Sequence, residues 1–180
     1  MTAYDRDYEP VHLALNRVGG NREARMRAVC DTLWRYFKDF GVSWVGFYTL
    51  DGTPTSTPTD GETQPVLQPE PQMVLGPSRD SPACSPIALH GACGMSLTKR
   101  RPIVVHDVHN LGASYIACNP KDRSEVIVPV FNERGDCYGV LDIDSFVRSA
   151  FGEADVRSLK RLMESTAISW PSPWVNPLYY

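Results

Sequence analysis

The chain predicts an α+β fold, a mostly antiparallel central sheet with helices on its faces. Three observations point to it. Residues 21–40 repeat apolar side chains at helical spacing, residues 42–50 are rich in aromatic and β-branched types, and two alternating apolar segments at 125–131 and 136–145 flank a short polar connection. At 180 residues, 42% of them hydrophobic, the chain is long enough for one domain with a real core and too short for a second complete one.

Each element has its own signature. In the first helix Met26, Val29, Leu33, Tyr36, Phe37 and Phe40 form the apolar stripe, and Gly41 closes it. The strand that follows puts Trp44, Gly46 and Tyr48 on one face and Val45 and Phe47 on the other. Residues 51–72 hold five prolines and five threonines, which bars a helix or a central strand and marks a loop inserted between two strands. Short apolar runs at 73–75, 87–89 and 103–105 come next, with a short helix at 95–100 and a loop at 109–123. The two hairpin arms meet through Asn132-Glu133-Arg134-Gly135. A last helix starts near Gly152-Glu153 and presents Val156, Leu159, Leu162, Met163 and Ile168. These readings divide the chain into an N-terminal extension (1–20), a domain (21–168) and a tail (169–180) that packs as an extended arm.

Charge and composition exclude several classes of function. The net charge is −3 and the basic residues form no long run, so neither a nucleic-acid footprint nor a polybasic membrane contact is expected. The acidic N-terminus has no apolar signal region, and no stretch approaches roughly 18 apolar residues. The expectation is a soluble cytoplasmic protein. Thiols are kept reduced in that compartment, and five cysteines is an odd number, so any disulfide is expected to be transient.

Cys84, Cys93 and Cys118 lie within 35 residues of one another, each among small neighbours: Pro82-Ala83-Cys84, Gly91-Ala92-Cys93-Gly94 and Ile116-Ala117-Cys118-Asn119. Thiol redox chemistry needs such settings, because one sulfur must be attacked and a second must reach it. A helix starting just after Cys93 would lower its thiol pKa. Cys30 and Cys137 read as small buried hydrophobes. His90, His106 and His109 lie near these cysteines but lack the close ligand pairs that zinc prefers, so no metal is expected. Gly91-Ala92-Cys93-Gly94 is too short for a phosphate loop.

The hairpin adds three carboxylates. If residue 131 pairs with 136, Glu125 stands opposite Asp142, and Asp144 lies two residues further along the same face. A solvated edge is one reading, but the apolar Val140 on that face and the flanking Leu141 and Ile143 argue against it. A one-residue bulge at Gly135 would separate Glu125 from both aspartates.

Together with Leu75-Gly76-Pro77, Ser124-Glu125-Val126-Ile127-Val128-Pro129, Gly139-Val140-Leu141-Asp142-Ile143-Asp144-Ser145 and Trp44-Val45-Gly46-Phe47-Tyr48, the three cysteine motifs resemble the free methionine-(R)-sulfoxide reductases, a GAF-domain family. The resemblance covers residues 21–168 apart from the 51–72 loop. It implies a GAF-like single domain in which Cys118 attacks the sulfoxide sulfur, Cys84 or Cys93 then closes a disulfide, and thioredoxin reduces it. Glu125, Asp142 and Asp144 would hold the free amino acid's ammonium and supply a proton, and Trp44 and Tyr48 would wall the methylsulfinyl group. It further implies a homodimer with no metal or organic cofactor. The chain departs from the family in carrying Tyr115-Ile116-Ala117-Cys118-Asn119 where His-Ile-Ala-Cys-Asp is usual, and in the long loop after Tyr48. The contrasting class is a GAF sensor that binds a small molecule without turnover, for which three clustered cysteines have no purpose.

Overall fold

A computed structural model describes residues 6–51, 70–80, 83–116 and 118–180. Most of the 51–72 insertion lies outside the described residues. The helices are α1 (Glu9–Leu15), α2 (Arg22–Phe37), α3 (Ala92–Lys99) and α4 (Glu153–Ser165), and the strands are β1 (Val42–Leu50), β2 (Gln72–Arg79), β3 (Ile87–Ala88), β4 (Ile103–Val105), β5 (Ser124–Phe131), β6 (Cys137–Ser145) and β7 (Leu178–Tyr179). They build one seven-stranded sheet in the order β3-β2-β1-β6-β5-β4-β7. Every pairing is antiparallel except β4 with β7. Among the described residues no helix is long and apolar enough to cross a membrane.

Strand alternation splits the interior into two cores. Val45, Phe47, Val126, Val128, Leu141 and Ile143 face α1, α2 and α4, with Val29, Leu33, Val156 and Leu159 packed against them. Trp44, Tyr48, Ile127 and Val140 face the other way, onto α3 and the connection after β4. The expected division of β1 into two faces is therefore observed. Asn21 caps α2 by accepting from the Ala24 amide at 2.9 Å, and Gly41, at φ +84°, ends the 3₁₀ turn Lys38–Phe40 that extends the helix. The stripe on α2 is narrower than its spacing suggests, because Tyr36 and Phe40 are 37% and 51% exposed.

The β5–β6 register corrects the expected pairing. Glu125 pairs with Asp144 and Ile127 with Asp142, so Glu125 does not stand opposite Asp142. Two one-residue shifts add up to this result. Asn132 accepts from the amides of Arg134 and Asp136 and lengthens the turn so that Phe131 pairs with Cys137, and Tyr138 then bulges, leaving Val130 opposite Gly139. A single shift would have put Glu125 on the face opposite the two aspartates. Two shifts preserve the parity, and the three carboxylates remain together.

The chain ends are built into this frame. α1 is too short for a periodic signal, yet Tyr8, Val11 and Leu15 are buried in the first core. The tail leads to β7, and just beyond it the Tyr180 amide donates to Val104 O at 3.0 Å and the Tyr180 carbonyl accepts from His106 N at 2.7 Å. Asp155 ties the N-terminus to α4. It is 3% exposed and accepts from Tyr8 Oη at 2.9 Å, from Arg6 Nη1 at 3.4 Å and from the Gly152 amide at 2.8 Å. Removing it leaves a guanidinium, a phenol and an amide buried with a shared acceptor lost, so Asp155→Ala is expected to cost about 3–5 kcal/mol in urea unfolding, against under about 0.5 kcal/mol for an exposed control such as Glu133→Ala.

Candidate active site

The sequence-predicted residues converge on one cleft against the second core. Its empty volume, counted out to the solvent mouth, is about 720 Å³, and its walls include Trp44, Tyr48, Cys93, Cys118, Glu125, Asp142 and Asp144. β1 supplies the aromatic wall. Trp44 and Tyr48, four positions apart on one strand face, have ring centroids 5.8 Å apart. Gly46 between them leaves no open gap, because the Trp44 indole folds over it and a Cβ there would strike the ring. The glycine accommodates the ring, and the ring becomes part of the wall.

α3 brings Cys93 into the cleft. The helix begins at Ala92, earlier than expected, and Gly94 lets its first turn approach the Leu89 backbone at a distance no Cβ would permit. Cys93 is 6% exposed and its thiol donates to Asp142 Oδ2 at 3.1 Å. The expected lowering of its pKa by a helix N-terminus is overturned. Burial, followed by the charges of Asp142 and Glu125, holds the thiol well above its usual value. Cys84 and Cys118 form a disulfide with Cα atoms 5.4 Å apart. Cys118 is on the cleft wall, and Cys84 reaches the cleft through that bond. The Tyr48 hydroxyl donates to the Cys84 carbonyl at 2.8 Å, fixing the backbone of this partner against β1. Cys30 is fully buried, whereas Cys137 is only partly so.

The three carboxyl groups of the hairpin are not a solvated edge. Glu125 is 9% exposed and Asp142 6%. Their oxygens and those of Asp144 lie within 4.8 Å of one another, close enough to share a single cation such as an ammonium. Burial, and then mutual repulsion, raises Glu125 and Asp144 well above the usual carboxylate range. Burial also lifts Asp142 to about 7, opposed by the Cys93 thiol. Among the described wall residues there is no lysine or arginine to neutralise these acids. Two polar atoms in the cleft, Trp44 Nε1 and Asp142 Oδ1, are buried without a hydrogen-bond partner among the described residues. One donates and the other accepts, which suits a ligand carrying both an oxygen acceptor and a donor.

Asn119, noted in the sequence beside Cys118, lines the cleft, and so do Ser43 and Asp122, which sequence reasoning missed. The histidines near the cysteines are engaged elsewhere. His106 stacks on Tyr179 at 5.6 Å, and His109 Nδ1 meets Asp107 at 2.8 Å.

Comparison with known proteins places this geometry. The GAF domain family profile matches residues 21–170. The chain is 29% identical over 133 residues to the free methionine-R-sulfoxide reductase of Saccharomyces cerevisiae, a match covering 72% of this chain and 65% of the yeast protein, just under two thirds of that relative's length. It is similar to the structure of fRMsr of Staphylococcus aureus in complex with substrate, at 25% identity and a TM-score of 0.73, covering 93% of this chain and 99% of that one. It is also similar to free methionine-R-sulfoxide reductase from Neisseria meningitidis in complex with its substrate, at 28% identity and a TM-score of 0.69, covering 92% and 94% of the two chains. A profile match over most of the chain, with the expected mostly antiparallel sheet beneath it, settles the assignment: the chain belongs to the GAF domain family, and reductases of free methionine-R-sulfoxide are among the relatives it resembles.

Proposed function

We propose that the protein reduces free L-methionine (R)-sulfoxide to methionine by cysteine thiol chemistry, with thioredoxin as the dithiol that regenerates it. The observation that carries this reading is the Cys84–Cys118 disulfide at a cleft that also holds buried acids and an aromatic wall. In the reduced protein the Cys118 thiolate attacks the sulfoxide sulfur while the oxygen takes a proton from an acid of the cleft. The sulfur–oxygen bond breaks, methionine leaves, and Cys118 carries the oxygen as a sulfenic acid. The Cys84 thiol then attacks that sulfur, water leaves, and the disulfide forms. Two electrons and two protons from an external dithiol restore both thiols.

The cleft supplies what each step needs. A sulfoxide oxygen is a weak leaving group until it is protonated, and an acid with a pKa of about 7, as at Asp142, is suited to donating a proton near neutral pH. The unpartnered Trp44 indole N–H is a donor for the same oxygen. Glu125, Asp142 and Asp144 receive the ammonium of a free amino acid, a group that methionine sulfoxide inside a polypeptide does not have. Trp44 and Tyr48 enclose the apolar methyl and methylene groups. Cys93, held by Asp142, contributes to orienting the acid and is a second thiol within the same cleft. The cycle calls for no metal or organic cofactor, the working compartment is the reducing cytoplasm, and the family resemblance suggests a homodimer.

Cys118→Ser is expected to lower thioredoxin-coupled turnover at least about 1,000-fold, and undiminished turnover would exclude Cys118 as the nucleophile. Cys84→Ser separates the two half-reactions: a single turnover still releases one methionine, and dimedone then traps a sulfenic acid at Cys118, detectable by mass spectrometry. Because the cleft acid donates only while protonated, kcat/KM should fall as pH rises through about 7, whereas Asp142→Asn should lose this limb and about 10²- to 10⁴-fold in rate. Equal rates on the free and peptide-bound sulfoxide would remove the role given to the carboxylates.

A further inference from the structure

A fourth carboxyl group belongs to the cleft. Asp122 is 6% exposed, lines the same walls as Cys118 and Glu125, and sits on the loop that follows Cys118. Ser43 Oγ donates to its Oδ1 at 2.8 Å. Ser43 is the extra residue of a bulge in β1, where Val42 pairs with Ser145 but Trp44 pairs with Asp144, so the hydroxyl is presented where regular alternation would not place it. The loop is held further by the Asp122 amide on Asn119 O at 3.1 Å and the Arg123 amide on Ser145 O at 2.8 Å. Where the family pattern carries Asp beside the nucleophile, this chain has Asn119, and the acid stands three residues later with a dedicated donor.

We infer that Asp122, latched to Ser43, is a positioning residue whose negative charge keeps a proton on the neighbouring acid cluster for delivery to the sulfoxide oxygen; the delivery step rests on the reductase reading above. Burial raises the Asp122 carboxyl above its ordinary value, and the Ser43 hydroxyl and then the Arg123 guanidinium oppose that rise and favour its charge. The groups facing it are Glu125 on β5, Asp142 and Asp144 on β6, and Tyr115 on the preceding loop, and its charge disfavours ionisation in each of them. Cys93 on α3 and Tyr48 on β1 face the same cluster from the far side and are themselves held protonated by burial and then by its charge. An anion fixed in the cleft wall thus acts on the proton inventory of the cleft through its neighbours.

Asp122→Asn removes the charge and keeps an acceptor for Ser43, which makes it the informative variant. With free L-methionine (R)-sulfoxide and dithiothreitol as reductant, the alkaline limb of kcat/KM should move down by roughly half to one pH unit, and the Asp142 carboxyl midpoint, followed by ¹³C NMR, should move with it. Ser43→Ala weakens the charge without deleting it, so a smaller shift in the same direction is expected, and it serves if Asp122→Asn folds poorly. A limb and midpoint that superimpose on the wild type in an active enzyme overturn the inference about Asp122, even if the rate falls uniformly. A midpoint that falls in a protein without sulfoxide turnover overturns the reductase reading and the delivery step with it, leaving only the electrostatic coupling.

Discussion

The alternation of β6 is the constraint from which the site follows. β6 lies between β1 and β5 in the middle of the sheet, and its two faces are covered by the two cores. Leu141 and Ile143 fill the first core, and the same pleat turns Asp142 and Asp144 onto the cleft. Neither carboxyl can swing out to solvent without its apolar neighbours leaving the core. The acids are therefore buried by the fold, and their raised pKa values follow from where the backbone holds them. A mobile surface carboxylate would relax toward water and lose that property.

Such a cluster works against stability at neutral pH. The folded state binds protons on Glu125, Asp142 and Asp144 more tightly than the unfolded chain does, so their contribution is most favourable in acid and diminishes as pH rises through the folded pKa values, about 7 for Asp142. A cation bound among these three carboxylates would offset this. Binding of a positively charged ligand and retention of a protein proton thus compete for the same oxygens, which couples occupancy to protonation.

The fold was legible wherever the signal was local. The helical stripe of α2, the split faces of β1, the apolar triplet of β4 and both hairpin arms were apparent from spacing alone. The register was not, because it is set by Asn132 hydrogen bonds inside the turn and by a bulge at Tyr138, neither of which has a hydrophobic signature. Sequence distance also left the choice between Cys84 and Cys93 open. The structure pairs Cys84 with Cys118 and gives Cys93 to Asp142, a partner 49 positions away. Ser43 and Asp122 escaped notice for a similar reason: a serine in a strand and an aspartate in a loop are ordinary until a bulge brings them together. The GAF resemblance identified the residues of the cleft, and geometry supplied their relations.

The two outer strands of the sheet bear on how copies of this chain could associate. β3 and β7 are each two residues long, and β7 covers β4, whose backbone groups would otherwise be unpaired on that side. Strands this short offer almost no ladder to a neighbouring molecule, which protects the sheet from indefinite edge-to-edge growth. Self-association through β3 or β7 themselves is therefore disfavoured, whereas β3 pairs only with Gln72 and Met73 and leaves the rest of β2 without a strand partner on that side among the described residues.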